Sequence, residues 1–241
     1  MRRSTTHITF FTSDHFDAHV ESSLRRSLPI ITTPHAKSHL ASKESNESFT
    51  SVHDLDFFDE MLVDIKKAPG AGEKIPSIKV TGMPGKHVPP GPGGVMEKMN
   101  DLLSAVPPTN GWMLELGSHS EGEKDFQCGY RIYISGDTLL VPELEEIPKR
   151  FPHVDLMLVH LGGTTIPSPS VPLVMVTMDA EQGLKLVQMI DPDLTIPIHY
   201  DDYDVFLSPL SDFKKAIEEA GLSSKVVYLD RKAAYRFTVK Q

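Results

Sequence analysis

Seven short apolar runs rich in β-branched residues, bounded by Gly, Pro or Asp, recur along the chain: 28–33, 77–82, 111–116, 130–135, 155–161, 194–199 and 225–229. Runs of this length and composition read as buried strands. Helical patterns lie between the later ones. Asp179 caps the first, with Gln182 placed to reach back to it, and Ala180, Leu184, Val187, Met189 and Ile190 form its apolar stripe. The second starts at Ser208 with Pro209 in its first turn, carries Leu210, Phe213 and Ile217 on one face and stops at Gly221. Strands that alternate with helices in this way favour a mixed α+β fold with helices packed outside sheets.

Breakers divide the rest. Ser42–Ser51 is polar and is expected to be an exposed loop, whereas Gly82–Gly94 holds so much Pro and Gly that neither helix nor strand is expected to run through it. A loop of that kind inside a compact domain is usually functional. Gly162-Gly163-Thr164-Thr165 follows a strand but lacks the spacing of a nucleotide-binding fingerprint, so it reads as a turn. There is no internal repeat.

With 241 residues, 39% of them hydrophobic, the chain can bury a full core. Acidic residues outnumber basic ones 33 to 24, giving a formal charge of −9, and this field repels nucleic acid and anionic lipid. A small molecule is the expected partner; oligomeric state is not legible. Cys128 is the only cysteine and no secretory apolar segment precedes the first strand, so the expected location is cytoplasmic. The basic, hydroxyl-rich start Met1–Thr6 leaves a short mitochondrial presequence as the alternative. No apolar stretch has the length of a membrane span.

The strand ends carry ligand chemistry. His15 and Asp17 follow the run His7–Phe11, His87 sits in the Pro/Gly loop, Asp137 follows 130–135, and His199 closes 194–199. Imidazole nitrogen and carboxylate oxygen are zinc donors, and loops at strand ends let distant residues meet at one sheet edge. Each alone is an ordinary turn or surface residue; the joint placement carries the reading.

The segments Ser13–Asp17, Gly82–His87, Tyr133–Thr138 and Ile196–Asp202, in this order, resemble the metallo-β-lactamase-fold hydrolases, in particular their lactonase and phosphodiesterase-like branch in its fungal form. The resemblance runs from about Ser13 to the C-terminus. It implies one domain over 1–241, an αββα sandwich with metal on one edge, and hydrolysis of an ester, lactone or phosphodiester. The family's first metal motif, His-x-His-x-Asp-His, reads Ser13-Asp14-His15-Phe16-Asp17-Ala18 here, so one histidine is lost from each of two metal positions.

By that resemblance, one position keeps His15 and His87, and the other keeps Asp17, Asp137 as the bridging carboxylate, and His199. Three ligands plus a water suit a catalytic zinc, so one zinc rather than two is expected, with manganese or iron as alternatives. If a helix starts at Asp17, His19 is turned about 100° from the register of a lost ligand and replaces it only through a distorted turn. Asp17 is also placed to orient the attacking water. His160 reads either as a catalytic contact to substrate or leaving group, or as a hydrogen-bonded core histidine; Tyr200, Asp201 and Asp202 read as supports for His199 or as a turn. The loops 86–94 and 162–172 are expected to roof the pocket. Family members carry several strands before the motif, so the sandwich is expected to lack N-terminal strands and to expose apolar surface. The alternative to a hydrolase is an impaired relative that binds a ligand or partner as a scaffold.

Overall fold

The computed structural model of the chain describes residues 7–8, 16–44, 46–67, 73–89, 91–94, 98, 100, 106–120, 125–168, 171–201 and 205–240. A small parallel sheet has the order β1 (His7–Ile8), β2 (Ile30–Thr32), β3 (Val52–Asp54). Two helices accompany it, α1 (Ala18–Ser23) and α2 (Pro34–Ala41). Ile30 faces Phe16, Leu40 and Phe49, while its neighbour Ile31 packs in the opposite direction, with Val80 and Trp112 of the large sheet. The period of two along a strand thus places one β layer between helices and a second β layer.

That second layer is six-stranded. Its members are β4 (Glu60–Asp64), β5 (Ile75–Met83), β6 (Gly111–His119), β7 (Gln127–Ile134), β8 (Leu156–His160) and β11 (Leu194–Ile198), in the spatial order β11-β8-β7-β6-β5-β4. β4 to β7 are antiparallel neighbours, whereas β7, β8 and β11 run parallel. One face buries Met113, Tyr133, Met157 and Val159 in a core with residues of α4 (Ala180–Ile190) and α5 (Leu210–Glu219); the short α3 (Glu146–Arg150) adds Ile147. The other face carries Trp112, Leu114, Ile132, Leu156 and Ile196. Helix, sheet, sheet, helix is the αββα order that the resemblance implies.

The helices beside the large sheet start close to where the sequence places them, with different cap partners. Asp179 Oδ1 accepts from Gln182 N at 2.9 Å, but the Gln182 side chain accepts from Leu140 N at 2.8 Å instead of reaching back. Ser208 does not cap α5: its Oγ accepts from Ala180 N at 3.0 Å and so serves the first turn of α4. α2 was not legible, because only Ala36 and Leu40 are buried and two residues make too thin a stripe; Thr33 caps it and Pro34 occupies its first turn.

Three expectations need correction. Residues 225–229 form no strand, only a bridge between Val226 and Thr195 reinforced by Val227 N donating to Thr195 O at 2.9 Å. Loop 162–172 instead forms an antiparallel pair, β9 (Thr165–Ser168) with β10 (Val171–Met175), although its opening glycines do turn, at φ 106° for Gly162 and 58° for Gly163. The apolar surface expected to be exposed is covered in part by the end of the chain: Val227 and Leu229 pack with Ile132, Leu156 and Ile196, and Phe237 stacks on Tyr130 with ring centroids 4.4 Å apart. Phe49 buries itself from the otherwise polar stretch 42–51. None of the described helices is long and apolar enough to cross a membrane.

Candidate metal centre

The parallel trio β7, β8 and β11 ends at one edge, and its register sets the site. Ile134 pairs with Leu158, and Ile198 with His160, so the residues just beyond these positions meet. Asp137 lies in the turn after β7, His160 is the last residue of β8, and His199 follows β11. His199 Nε2 stands 3.3 Å from Asp137 Oδ2, and His160 Nε2 stands 4.0 Å from Asp137 Oδ1. The two imidazole centroids are 5.7 Å apart, and Phe206 packs edge-on to His199 at 5.1 Å. Asp137 and His160 are both buried.

His199 adopts φ 60°, a left-handed conformation costly for a residue with a Cβ. Such strain is retained where surrounding contacts over-determine it, commonly at functional sites. Gly162 permits the approach, since a Cβ there would lie 2.7 Å from the His199 carbonyl oxygen.

The tautomers follow from the acceptors. His199 Nδ1 lies 3.0 Å from the carbonyl oxygen of Leu161, and His87 Nδ1 lies 2.9 Å from that of Val176. A carbonyl only accepts, so each Nδ1 carries the proton and each Nε2 is left for another partner. Ser135 Oγ accepts from His160 N at 2.9 Å, donates to Gly136 O at 2.9 Å and lies 3.3 Å from His160 Nδ1. With its single proton spent on Gly136, the hydroxyl receives the Nδ1 proton of His160. Ligating histidines are held in this way, by an acceptor on the far ring nitrogen.

His87 is tied to the same edge through the backbone. Lys86 N donates to Thr138 Oγ1 at 2.9 Å, Leu139 N donates to Lys86 O at 2.9 Å, and Met178 N donates to Thr138 O at 2.9 Å. The 84–88 loop, the Asp137 turn and the segment after β10 are therefore one hydrogen-bonded lattice. Imidazole nitrogen and carboxylate oxygen are donors that suit zinc, iron or manganese, but among the described residues the strand-end donors do not gather three within 4.8 Å of one another.

Asp17 stands elsewhere in the bonding scheme. It is exposed, its Oδ1 accepts from Val20 N at 2.8 Å as the cap of α1, and among the described residues it forms no ion pair. His19 lies in the first turn of α1 and is exposed, as the helical reading requires. Ser13, Asp14, His15 and Asp202 lie outside the described residues. Asp201 pairs with Arg231 at 3.1 Å rather than with His199.

A cavity of about 350 Å³ opens beside His87, lined also by His35, Phe57, Asn100, Val106 and Pro108. His35 was missed in the sequence although it follows a strand end, as the other candidates do. Its ring packs edge-on to His39 at 4.6 Å, and burial, then the neighbouring His39, lower its pKa below the usual imidazole value. At the opposite end of β8 and β11, His153, Asp155 and Asp193 bring donor atoms within 4.8 Å of one another. His153 and Asp193 are exposed there, away from the strand-end lattice.

Residues 2–200 match the family model described as Beta-lactamase superfamily domain. A metal-dependent hydrolase of Nanoarchaeum equitans is 30% identical over 99 residues, 41% of this chain and 40% of that protein. Another, of Pelotomaculum thermopropionicum, is 35% identical over 92 residues, 38% of this chain and 35% of that protein. The chain thus spans only about two fifths of the length of these relatives. Among solved structures, isothiocyanate hydrolase from Delia radicum gut bacteria superposes with a TM-score of 0.67 at 17% identity, over 97% of this chain and 76% of that one. A metallo hydrolase from Ignicoccus hospitalis does so with a TM-score of 0.61 at 19% identity, over 98% and 80%. At these identities the structural likeness establishes the fold.

Proposed function

The chain belongs to the beta-lactamase superfamily, and from that premise we propose that it is a metal-dependent hydrolase of small esters, lactones or phosphodiesters, as in the lactonase and phosphodiesterase-like branch. The observation that carries the reading is the 3.3 Å approach of His199 Nε2 to Asp137 Oδ2, with His199 Nδ1 locked on the Leu161 carbonyl. Asp137 and His199 hold the metal, and His87 adds a third donor from the lattice. His15 and Asp17 stand in the motif register, and Asp17 uses Oδ1 as the cap of α1. Zinc, manganese or iron bound there supplies a water acidified to a pKa of about 7 and polarises the bond under attack.

The chain's own residues do the rest. Phe57, Val106 and Pro108 border the cavity beside His87 and exclude water from a bound substrate. His35 offers it an imidazole that burial keeps neutral, able to donate or accept a hydrogen bond. Lys86 is paired with Glu143 at 2.6 Å, so its charge is already partly balanced at the cavity wall. The acidic balance of the chain keeps nucleic acid outside the proposed substrates.

The test is reconstitution. The full chain, stripped with a chelator, is reloaded with zinc, manganese or iron and assayed for metal content. Turnover is then measured on a nitrophenyl ester, a γ-lactone, a bis-nitrophenyl phosphodiester and an isothiocyanate, the last named for the solved neighbour. Stoichiometric metal and turnover that falls in Asp137→Ala and His199→Ala support the proposal. Absence of retained metal overturns it. Metal without turnover on any substrate class leaves the scaffold reading standing in its place.

A further inference from the structure

We propose that the cavity beside His87 takes the flat apolar part of an uncharged aryl ester or lactone, and that Phe57 is the residue that selects it over an aliphatic ester or a phosphodiester. The inference rests on the hydrolase reading above and narrows its substrate class. The binding it implies is read without turnover.

A strained loop presents the ring. Residues 55–59 connect β3 to β4. Asp56 N donates to Asp59 Oδ2 at 3.2 Å and Phe57 N donates to Asp56 Oδ1 at 2.8 Å, so the turn closes on itself. Gly82 of β5 ties it down: Phe58 N donates to Gly82 O at 2.7 Å, and Gly82 N donates to Asp59 O at 3.0 Å. A Cβ on Gly82 would lie 2.4 Å from the Asp56 carbonyl oxygen, and Asn110 Nδ2 donates to Leu55 O at 2.8 Å.

Pinned in this way, Phe58 adopts φ 66°, an outlier for a bulky side chain. The two neighbouring rings are thereby separated. Phe58 packs against the core, with the Arg150 guanidinium 4.0 Å from its ring centroid, whereas Phe57 lines the cavity and stays 36% exposed. Folding gains little from an aromatic ring left in water, and a ligand seated in the cavity covers it. Backbone strain held by surrounding contacts is a feature of ligand clamps.

The remaining wall is apolar and fixed. Val106, Pro107 and Pro108 share the cavity with Phe57. Asn100 grips Val106 with both halves of its amide, Oδ1 accepting from Val106 N at 2.8 Å and Nδ2 donating to Val106 O at 2.9 Å. Proline rings are rigid at φ, so this wall needs little ordering when a ligand arrives. A planar ring gains on Phe57 what an aliphatic group of the same area does not.

Charge decides against an anion. Among the described residues Lys86 is the one lysine or arginine that lines the cavity, and it is drawn to Glu143 at 2.6 Å. Burial, then His39, lower the pKa of His35, so that ring is neutral at pH 7. A phosphodiester entering here loses hydration without the charge-assisted contacts of a phosphate site, and an uncharged ester loses far less.

The experiment uses the purified full chain and three probes that it does not have to turn over. Acetanilide stands in for an uncharged aryl ester, N-methylacetamide lacks the ring, and methyl phenyl phosphate keeps the ring but adds a negative charge. Binding is followed by amide chemical shifts. Acetanilide is expected to bind at least about 5-fold more tightly than either other probe. Phe57→Ala is expected to weaken acetanilide by about 5–10-fold and to leave N-methylacetamide unchanged, and Phe57→Trp is expected to retain the ring preference. An unchanged urea midpoint is the folding control. A wild type that binds N-methylacetamide or methyl phenyl phosphate as tightly as acetanilide overturns the inference. So does a folded Phe57→Ala that binds acetanilide as wild type does. Should Phe57→Ala fail to fold, nuclear Overhauser contacts between the acetanilide ring and Phe57 in the wild type decide: their presence supports the assignment and their absence refutes it. Metal content and turnover do not enter this readout. A metal-loaded, active chain whose acetanilide binding ignores Phe57 refutes the inference alone, and a chain that takes up no metal refutes the proposed function whatever acetanilide does.

Discussion

Asp137 Oδ2 lies 3.3 Å from His199 Nε2, while His199 Nδ1 is held 3.0 Å from the Leu161 carbonyl, so the ring is fixed at both ends. Replacing Asp137 by Asn keeps the shape and removes the charge. Asp137→Asn is expected to lower kcat/KM on whichever substrate is turned over by at least about 100-fold, near 3 kcal/mol of transition-state stabilisation. Cobalt uptake should fall in parallel. Steady-state kinetics beside a cobalt titration checks both, and unchanged uptake would contradict the ligand role.

Ser135 serves His160 twice, accepting from its backbone amide at 2.9 Å and holding its Nδ1 at 3.3 Å. Ser135→Ala leaves a buried amide without its acceptor, which costs about 1–3 kcal/mol. The same change also frees the His160 ring, which stands 4.0 Å from Asp137 beside the proposed metal site, and metal affinity is expected to fall. Urea unfolding of the apo protein and metal titration read the two effects separately.

Gly183 lies inside α4, where a Cβ would come within 2.4 Å of Leu161 Cδ2 and 3.3 Å of the Phe213 ring. Alanine gains helix propensity, about 1 kcal/mol, but forces side chains in a filled core to move at a cost of about 1–3 kcal/mol. Gly183→Ala is expected to be destabilising by about 1 kcal/mol net. A lowered urea midpoint with unchanged slope is the check.

Tyr133 is buried under α4 and α5, and among the described residues its hydroxyl has no hydrogen-bond partner; burial pushes the phenol well above its usual pKa. Tyr133→Phe deletes an unpaid desolvation and should raise stability by up to about 1 kcal/mol. Chemical denaturation decides the sign, and a loss of stability would reveal a partner for the hydroxyl.

His119 Nε2 contacts Asp64 Oδ1 at 2.8 Å across β5. The Asp64 hydrogen bond raises the imidazole above its ordinary 6.5, and the His119 hydrogen bond, then Ser77, holds the carboxyl below 3.8. A raised imidazole stabilises fully below its unfolded value and loses that contribution as pH rises through the folded one; the lowered carboxylate stabilises above its unfolded value and loses it as pH falls through the folded one. The pair therefore contributes most between about pH 4 and pH 6.5. Asp64→Asn should bring the His119 midpoint back toward 6.5 in an NMR titration.

The legible parts of this protein are those in which a side chain declares its own role. Ile30 and Ile31 mark a strand by their β-branching, Asp179 marks a helix start by its carboxylate, and Asp137 and His199 mark strand ends by donor chemistry. His35 was hidden because its helix buries only Ala36 and Leu40. The β9–β10 pair was hidden because prolines in 166–172 argue against a ladder that the backbone nonetheless makes. Ser208 has the residue type of a cap, and only packing decides that it serves the start of α4 rather than the helix it precedes.

The sequence by itself determined five of the six strands of the large sheet, all but β4, and the two longer helices that cover it, and it named candidate donors at the strand ends, because those depend on periodicity and on side-chain chemistry. Tertiary structure alone decided the register that sets His160 against Asp137, the helix cap that Asp17 Oδ1 makes, and the carbonyls of Leu161 and Val176 that orient His199 and His87. The physical reason is that every residue carries the same backbone carbonyl. Which one meets a ring nitrogen depends on how strands align in space, and no side chain records that.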